Sequence, residues 1–456
     1  MNRLITPGDT RALDAFLADN PDIQYLDAFF FDLCGHARGK RYPRRDAAKV
    51  FQEGLFLPYP AYLLDVTGDC CDPGGQGFSD GDPDGTALPV AGTLCRVPWA
   101  GVPSAQVMLG MLAPDGTPLP TDPRHVLCRV LERFADTGLT PVVAVELEFY
   151  LIDPGRGPGG EPLAPVSPLS GRRESGHQPY SIDGLDAFGP VLQSMDVAAA
   201  DMGVPASAAS TEFAPGQFEI NLRHVSDALL AADHGMLLRR LVKQVALRHG
   251  LDATFMSKPF ADNTGNGLHL HISLQDAAGN NVFAGGEAVD NPLLRHAIGG
   301  LAVTLDEAMA IFAPNLNAFR RFQPDQFVPV NRSWTLNNRS GAFRIPAGAA
   351  SARRIEHRVA GAEANPYLVL AAILAGIHHG IQQRLDPGPP ATGNAGRRVD
   401  ASLPLDWAAA IRCLRDGAIL GDYLGSEYVK LYCETKQGEL EKFQRSISPR
   451  EYQWYL

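Results

Sequence analysis

Three short runs of this chain hold acids, histidines and arginines at spacings that suit chemistry. In VAVELEFYLI, Glu146 and Glu148 lie two apart, so a strand turns both to one side while Val145, Leu147 and Phe149 face the other. In NGLHLHISL, His269 and His271 share a face by the same rule. In RRIEHRV, Arg354, Glu356 and Arg358 take one face and Ile355, His357 and Val359 the opposite one, which frames a carboxylate between two guanidinium groups. A fourth run, STEFAPGQFEINL, sets Glu212 and Glu219 on either side of a Pro-Gly turn, as the two arms of a hairpin would. Converging carboxylates repel, and some stay protonated unless cations neutralise them. Hard divalent ions with oxygen ligands supply that neutralisation; one imidazole is common for Mn2+ and tolerable for Mg2+. Any one pair alone reads as a solvated strand face, and RRIEHRV alone as a salt-bridged surface strand. Together the acids sit in otherwise apolar strands, where an unpaired charge is costly, and that favours a metal site.

The arginines point the same way. After Arg321 come Arg332, Arg339, Arg344, Arg353, Arg354 and Arg358, with only Asp325 and Glu356 as acids between Asn317 and Arg358. The whole chain of 456 residues carries a formal net charge of −11, so this cationic run stands out and suits a site that holds anions beside a metal. The overall acidity argues against a general nucleic-acid binder or a binder of anionic membranes. With 45% hydrophobic and 20% charged residues, the composition is that of a soluble globular protein. Seven scattered cysteines show no CxxC or Cys/His zinc spacing and fit free thiols in a reducing cytoplasm. MNRLITPGDTRALDAF has no apolar core of a signal peptide. The longest apolar run, 367–377, is too short to span a bilayer and reads as a core helix.

The elements that must position these residues follow from periodicity. Residues 10–20 predict an amphipathic helix, 23–33 and 38–42 two strands joined by the CGHARG turn, and 46–51 a further helix. DPGGQGFSDGDPDG (72–85) reads as loop, and 93–97 and 106–112 as strands. At TDPRHVLCRVLERFADTG, Thr121 or Asp122 can cap a helix that has Pro123 in its first turn, which sets a domain boundary near 120. Residues 1–120 are thus expected to form a small, mostly β domain and 121–456 a larger α+β domain. The latter starts with a strand at 141–152 and a Gly- and Pro-rich insertion at 153–176, expected to be mobile. Strands follow at 206–222, 252–257 and 268–274, with helices near 186–202, 225–249, 291–312, 364–383 and 405–416 and a charged C-terminal helix.

In their order, VELEFYL, EFAPGQFEINL, NGLHLHISL, NAFRRFQP, NNRSGAFRIP, RRIEHR and ANPYL resemble the glutamine synthetase superfamily over most of residues 121–385, and FFFDLCGHARGKRYP resembles its β-grasp domain. VAGAEANPYL in place of PDPxANPYL, with GQFEINL, ATFMSKPF and RRFQPDQFVP, is similar to the γ-glutamylpolyamine ligase branch. The resemblance implies an α+β fold: a β-grasp N-terminal domain and a catalytic domain of curved antiparallel sheet backed by helices. It implies a homo-oligomer, a dodecamer of two hexameric rings with active sites between neighbouring subunits. It also implies ATP and two or three Mg2+ or Mn2+ ions per site, with glutamate and a small amine as partners.

Residue by residue, the resemblance assigns Glu148, Glu212 and Glu219 to one metal and Glu146, His269 and Glu356 to another. It sets His271, Arg339, Arg344 and Arg354 along the nucleotide phosphates and Arg321 and Arg358 on glutamate, with Gly265 near its amino-acid end. It brings Asp32 from the adjacent subunit to the ammonium pocket, making Asp32, Arg339 and Glu356 the catalytic set. Three positions depart from the family pattern. Phe327 stands at the flap glutamate, Thr264 replaces the asparagine before Gly265, and 384–398 contains no tyrosine for adenylylation. A neutral aromatic cannot hold ammonium but can pack beside an alkylamine. The expectation is therefore ATP-dependent ligation of the glutamate γ-carboxyl to putrescine or a longer polyamine. The alternatives are a monoamine or ethanolamine in the same chemistry, true glutamine synthetase, and a non-catalytic relative with eroded metal ligands.

Overall fold

A computed structural model of the chain describes residues 3–456. Its first half-dozen strands form one sheet: β1 (Tyr25–Phe31), β2 (Ala37–Pro43), β3 (Leu55–Pro58), β4 (Asp84–Pro89), β5 (Cys95–Arg96) and β6 (Ser104–Leu112), in the order β2-β1-β6-β4-β3 with β5 on β6. β1 and β6 run parallel at its centre, and every other pairing in it is antiparallel. Helices α1 (Arg11–Asp19) and α2 (Ala48–Gln52) bury Leu13, Val50 and Phe51 in a core whose members run from Leu13 to Leu119. β3 and β4 were not legible in the sequence: β3 has four residues, and β4 starts inside the Gly- and Asp-rich run read as loop.

Helix α3 (Pro123–Ala135) opens the larger part, and of the two candidate caps Asp122 is the one used, accepting a hydrogen bond from the Arg124 amide. Seven strands then make a continuous path: β7 (Thr140–Ile152), β8 (Ala206–Thr211), β9 (Gln217–Leu222), β11 (Leu268–Gln275), β12 (Trp334–Leu336), β13 (Phe343–Ile345) and β14 (Ile355–His357). They run in the order β12-β13-β14-β11-β7-β9-β8, while β10 (Asp252–Thr254) pairs with the end of β7. All these pairings are antiparallel except β12 with β13. The single helix expected at 186–202 is two, α4 (Ile182–Ala187) and α5 (Gly189–Asp201), because Pro190 cannot continue a helix and instead begins one. The insertion at 153–176 holds only isolated bridges; Arg173 pairs with Asp153 inside it (2.9 Å), and Arg156 ties it to Asp252 on β10 (2.5 Å).

Behind the sheet lie α6 (Ala228–Arg248), α7 (Pro292–Phe312), the single turn α8 (Leu316–Phe319) and α9 (Pro366–Gln383), followed by α10 (Trp407–Asp416), α11 (Ala418–Leu424), α12 (Ser426–Gln444) and α13 (Pro449–Tyr455). The apolar run at 367–377 is indeed a core helix: 14 of the 18 residues of α9 are buried. It packs on α7 with backbones nearly touching, since a Cβ on Gly300 would come 2.0 Å from the Gly376 carbonyl oxygen. Asn365 caps α9 through the Tyr367 amide and donates to the Asp32 and Leu33 carbonyls, so one side chain joins the helix to the N-terminal sheet. α12 joins them again. Glu434 accepts from the Gly74 amide at 2.6 Å, Glu439 accepts from the Val66 amide at 3.0 Å, and Lys442 pairs with Asp65 and, at 2.9 Å, with Asp69. All seven cysteines are free thiols, and no helix of the described residues is long and apolar enough to cross a membrane.

Candidate active site

Strand register alone assembles the chemistry-bearing residues. Opposite Arg344 on β13 stands Glu356 on β14, and opposite Glu356 stands His271 on β11. Two residues back on β11, His269 stands opposite Glu146 on β7; two residues on along β7, Glu148 stands opposite Glu219 on β9. Residues two apart share a face, so the whole row crosses five strands on one side of the sheet. The other side is apolar: Val145, Leu147, Phe149, Leu268, Leu270 and Ile272 belong to the main core, and His357 packs there between Phe312 and Phe343.

Within the row the side chains meet. Glu146 faces both histidines, at 2.7 Å from His269 Nδ1 and 3.2 Å from His271 Nε2. The Gly267 amide donates to Glu148 at 2.6 Å, and Asn221 donates to Glu219 at 2.9 Å. Glu356 lies between two guanidinium groups, as expected, but only one is the expected partner. Arg358 pairs with one oxygen, and the other takes Arg344 at 2.6 Å. Arg354 instead donates from Nε to His271 Nδ1 at 3.1 Å. The reason is local. β14 is three residues long, Arg354 precedes it, and the β13 register delivers Arg344 directly across from Glu356.

Electrostatics separate these carboxyls into two kinds. Burial disfavours the charged form of Glu146, but the hydrogen bonds from His269 and His271 outweigh it and hold the carboxyl well below its ordinary range. Burial likewise opposes ionisation of Glu356, and the charges of Arg358, His269, His271 and Arg344 overcome it. For Glu212 and Glu219 the opposing forces win, although the charges of Arg358 and Arg339 act in favour of ionising Glu212. Burial and the neighbouring glutamates push Glu212 up to about 8 and Glu219 up to about 10. A cluster that must hold protons for want of positive charge is one a divalent cation would complete. Ligand atoms of Glu146, His269 and Glu356 lie within 4.8 Å of one another, as do those of Glu148, Glu219 and His269. This oxygen and imidazole donor set, free of thiol, fits Mg2+ or Mn2+. Glu212 falls outside both sets and reaches them through its charge coupling to Glu148 and Glu146.

The remaining expected residues are spread around the face. Arg321 is buried, donates to the Val359 carbonyl at 3.1 Å and keeps an Nε without a partner; Arg344 and Arg358 each keep such an Nε too. Gly265 lies against it: a Cβ there would come 2.5 Å from the Ser257 carbonyl and 2.7 Å from Arg321 Cγ. Thr264 donates to Gln217 at 2.6 Å, and Gln217 donates to the Gly265 carbonyl at 3.0 Å, so the position that departs from the family pattern braces the loop. Arg339 is exposed between β12 and β13, and its charge acts on Glu212. Phe327 is 72% exposed in the loop after α8.

Asp32 stands apart from the row. Its carboxylate is wholly enclosed by its own chain, bonded to Arg38 at 2.9 Å and to the amides of Cys34 and His36. Two neighbours of the row were missed in the sequence. Asn221 shares strand parity with Glu219 and could have been found by it. His224, ring to ring with His271 at 6.1 Å and lowered to about 4 by burial and by the charges of His271 and Arg354, lies beyond the end of β9, where parity no longer applies.

A sheet whose one face gathers glutamates, histidines and arginines over a helical backing defines a class, and comparison names it. Residues 120–455 match the family described as glutamine synthetase, catalytic domain, and the chain belongs to that family. Among curated relatives, the gamma-glutamylputrescine synthetase PuuA of Escherichia coli (strain K12) is 40% identical over 449 residues, covering 98% of this chain and 94% of that one. The glutamate–isopropylamine ligase of a Pseudomonas species is 33% identical, covering 83% of each. The solved structure described as a GmaS/ADP complex superposes with a TM-score of 0.83 at 30% identity, covering 97% of this chain and 98% of that one. The fold is thus of glutamine synthetase type, an α+β architecture of curled sheet backed by helices.

Proposed function

We propose that the protein ligates the γ-carboxyl of glutamate to a primary amine, with ATP as co-substrate and putrescine or a longer polyamine as the favoured amine. The observation that carries this reading is the row from Arg344 to Glu219, acids, imidazoles and guanidinium group on one sheet face. The relatives named for joining glutamate to putrescine and to isopropylamine support the amine side.

Glu146, His269 and Glu356 would hold one Mg2+ or Mn2+, and Glu148 and Glu219, with Glu212 closing in, a second. Bound there, such ions would supply positive charge against a transferring phosphoryl group. Arg321 and Arg358 hold the carboxylates of glutamate, a task that guanidinium forks suit. His271, Arg339, Arg344 and Arg354 lie along the phosphates. Held so, a γ-carboxylate oxygen attacks the terminal phosphorus, ADP leaves, and γ-glutamyl phosphate forms. The amine nitrogen then attacks its carbonyl carbon, phosphate leaves, and the nitrogen gives up a proton to yield the γ-glutamylamide. Phe327 packs beside the alkyl chain of that amine. Since the Asp32 carboxylate is enclosed, a role for it at a neighbouring subunit's amine pocket requires the turn around Gly35 to open.

The same reading makes the protein a cytoplasmic dodecamer of two stacked hexamers. Support for assembly comes from α13 and its approach, where Phe443, Ile447, Tyr452, Trp454 and Tyr455 are all exposed in the single chain. An amine panel read by phosphate release tests the activity: putrescine or a longer polyamine should give the highest turnover with glutamate and ATP. Greater turnover with ammonium than with every amine would sink the proposal.

A further inference from the structure

The polar side of the sheet continues past Glu148 and Glu219. Two residues further along β7, Tyr150 stands opposite Gln217, which lies two residues before Glu219 on β9. Strand parity puts both on the face of the acids, and Tyr150 and Ile152 lie outside the main core that Phe149 and Leu151 enter. Both side chains are buried, and their polar atoms go to one place, the residues 264–266 that lead into β11. The Tyr150 hydroxyl donates to the Thr264 carbonyl at 2.7 Å. Gln217 Nε2 donates to the Gly265 carbonyl at 3.0 Å and to Asn266 Oδ1 at 3.1 Å. Its Oε1 accepts from Thr264 Oγ1 at 2.6 Å and from the Ala214 amide at 3.4 Å. A primary amide offers two donors and two lone pairs, so this one is saturated. Turned over, it would set its NH2 against the Ala214 amide and its oxygen against two other oxygens. The segment is held beyond Gly265 as well, where the Gly267 amide donates to Glu148 at 2.6 Å.

We propose that Gln217 and Thr264 are positioning residues for glutamate: together they fix the Gly265 carbonyl beside Arg321 and tie it to the strand that carries Glu219, without touching the substrate themselves. The inference rests on the reading above that Arg321 holds a glutamate carboxylate. Gly265 lies so close to Arg321 that a Cβ there would come 2.7 Å from the arginine Cγ, so a shift of this backbone is felt at the guanidinium's stem. A carbonyl oxygen accepts twice, and with Gln217 on one lone pair the other suits the α-ammonium of the same amino acid. Thr264, where the family pattern has asparagine, spends its hydroxyl on Gln217. The asparagine's place is thus filled by a bond inside the protein, and the amide that receives it sets the loop.

Two measurements on the full-length protein test this. One is L-glutamate affinity by titration calorimetry with Mg2+ and a non-hydrolysable ATP analogue present; the other is the set of KM and kcat values from phosphate release. Thr264→Val removes the hydroxyl and leaves Gln217 Oε1 with the Ala214 amide alone, so glutamate should bind about fivefold more weakly or worse. The KM for glutamate should rise in step, while kcat and the KM for the amine stay within about twofold. Thr264→Ser keeps the hydroxyl and should bind glutamate within about twofold of the natural protein. Gln217→Met removes all four bonds and should weaken glutamate more than Thr264→Val does. Thr264 is half-buried, so its variants keep the experiment readable if Gln217→Met fails to fold. Unchanged glutamate affinity in Thr264→Val, a loss shared by Thr264→Ser, or an amine KM that rises as much as that for glutamate would each overturn the proposal. So would a natural protein that takes up no L-glutamate. Glutamate binding that follows these variants without any phosphate release would overturn the ligase reading and support this one, so the two can fail independently.

Discussion

Glu212 and Glu219 have carboxyl pKa values near 8 and 10 in the folded chain, against an ordinary value of 4.5. The folded state therefore binds more protons than the unfolded state between those limits, and the pair makes stability fall as pH rises from about 5 towards 10. A divalent cation displaces those protons, so its affinity rises with pH over the same window. The thermal midpoint should accordingly increase on adding Mg2+ or Mn2+, more at pH 8.5 than at pH 6, and return on adding chelator. A metal-induced increase that is equal at both pH values would refute the coupling. Phe327 makes a second prediction at this scale. Phe327→Glu puts a carboxylate at the position proposed to pack beside the amine, so turnover with ammonium should rise and that with putrescine fall. The ratio should shift by about tenfold or more, in line with the discrimination a single side chain exerts.

Strand length decided what could be read in advance. β7 and β11 are 13 and 8 residues long, and in both alternation was unmistakable, so Glu146, Glu148, His269 and His271 were assigned to their faces correctly. β12, β13 and β14 have three residues each and lie among Gly, Asn, Ser and Arg, too short for a period to declare itself. Register across strands is a contact between distant residues, and one sequence does not carry it; alternation in RRIEHRV alone sets Arg354 beside Glu356, where the register brings Arg344. Asp32 illustrates another limit: the strand expected at 23–33 contains it, whereas β1 ends one residue before it, and its enclosure by Arg38 and the turn amides is a contact that periodicity does not show. At the element scale, Asn365 is the most exposed to test. Asn365→Ala removes the α9 cap and two donors to the N-terminal sheet, and should cost about 1–3 kcal/mol in urea unfolding. A change under about 0.5 kcal/mol, the level of a neutral surface substitution, would contradict that linkage.

Across the whole molecule, the two sheets belong to separate stretches of sequence, yet α12 crosses back to the first. Beyond it, the aromatic side of α13 has no cover within one chain. Deleting residues 446–456 should therefore lower the assembly size seen by light scattering while the far-ultraviolet circular dichroism stays nearly the same. An unchanged mass would show that α13 is not a subunit contact. The α12 contacts also set a timetable. Lys442 and Asp65 are 377 residues apart, and a ribosome adding about 5–20 residues per second needs on the order of 20–75 s between them. Throughout that interval the first sheet has emerged without the helix that docks it. A nascent chain must keep that surface from straying until translation is nearly finished, which makes α12 the closing stitch of the first sheet.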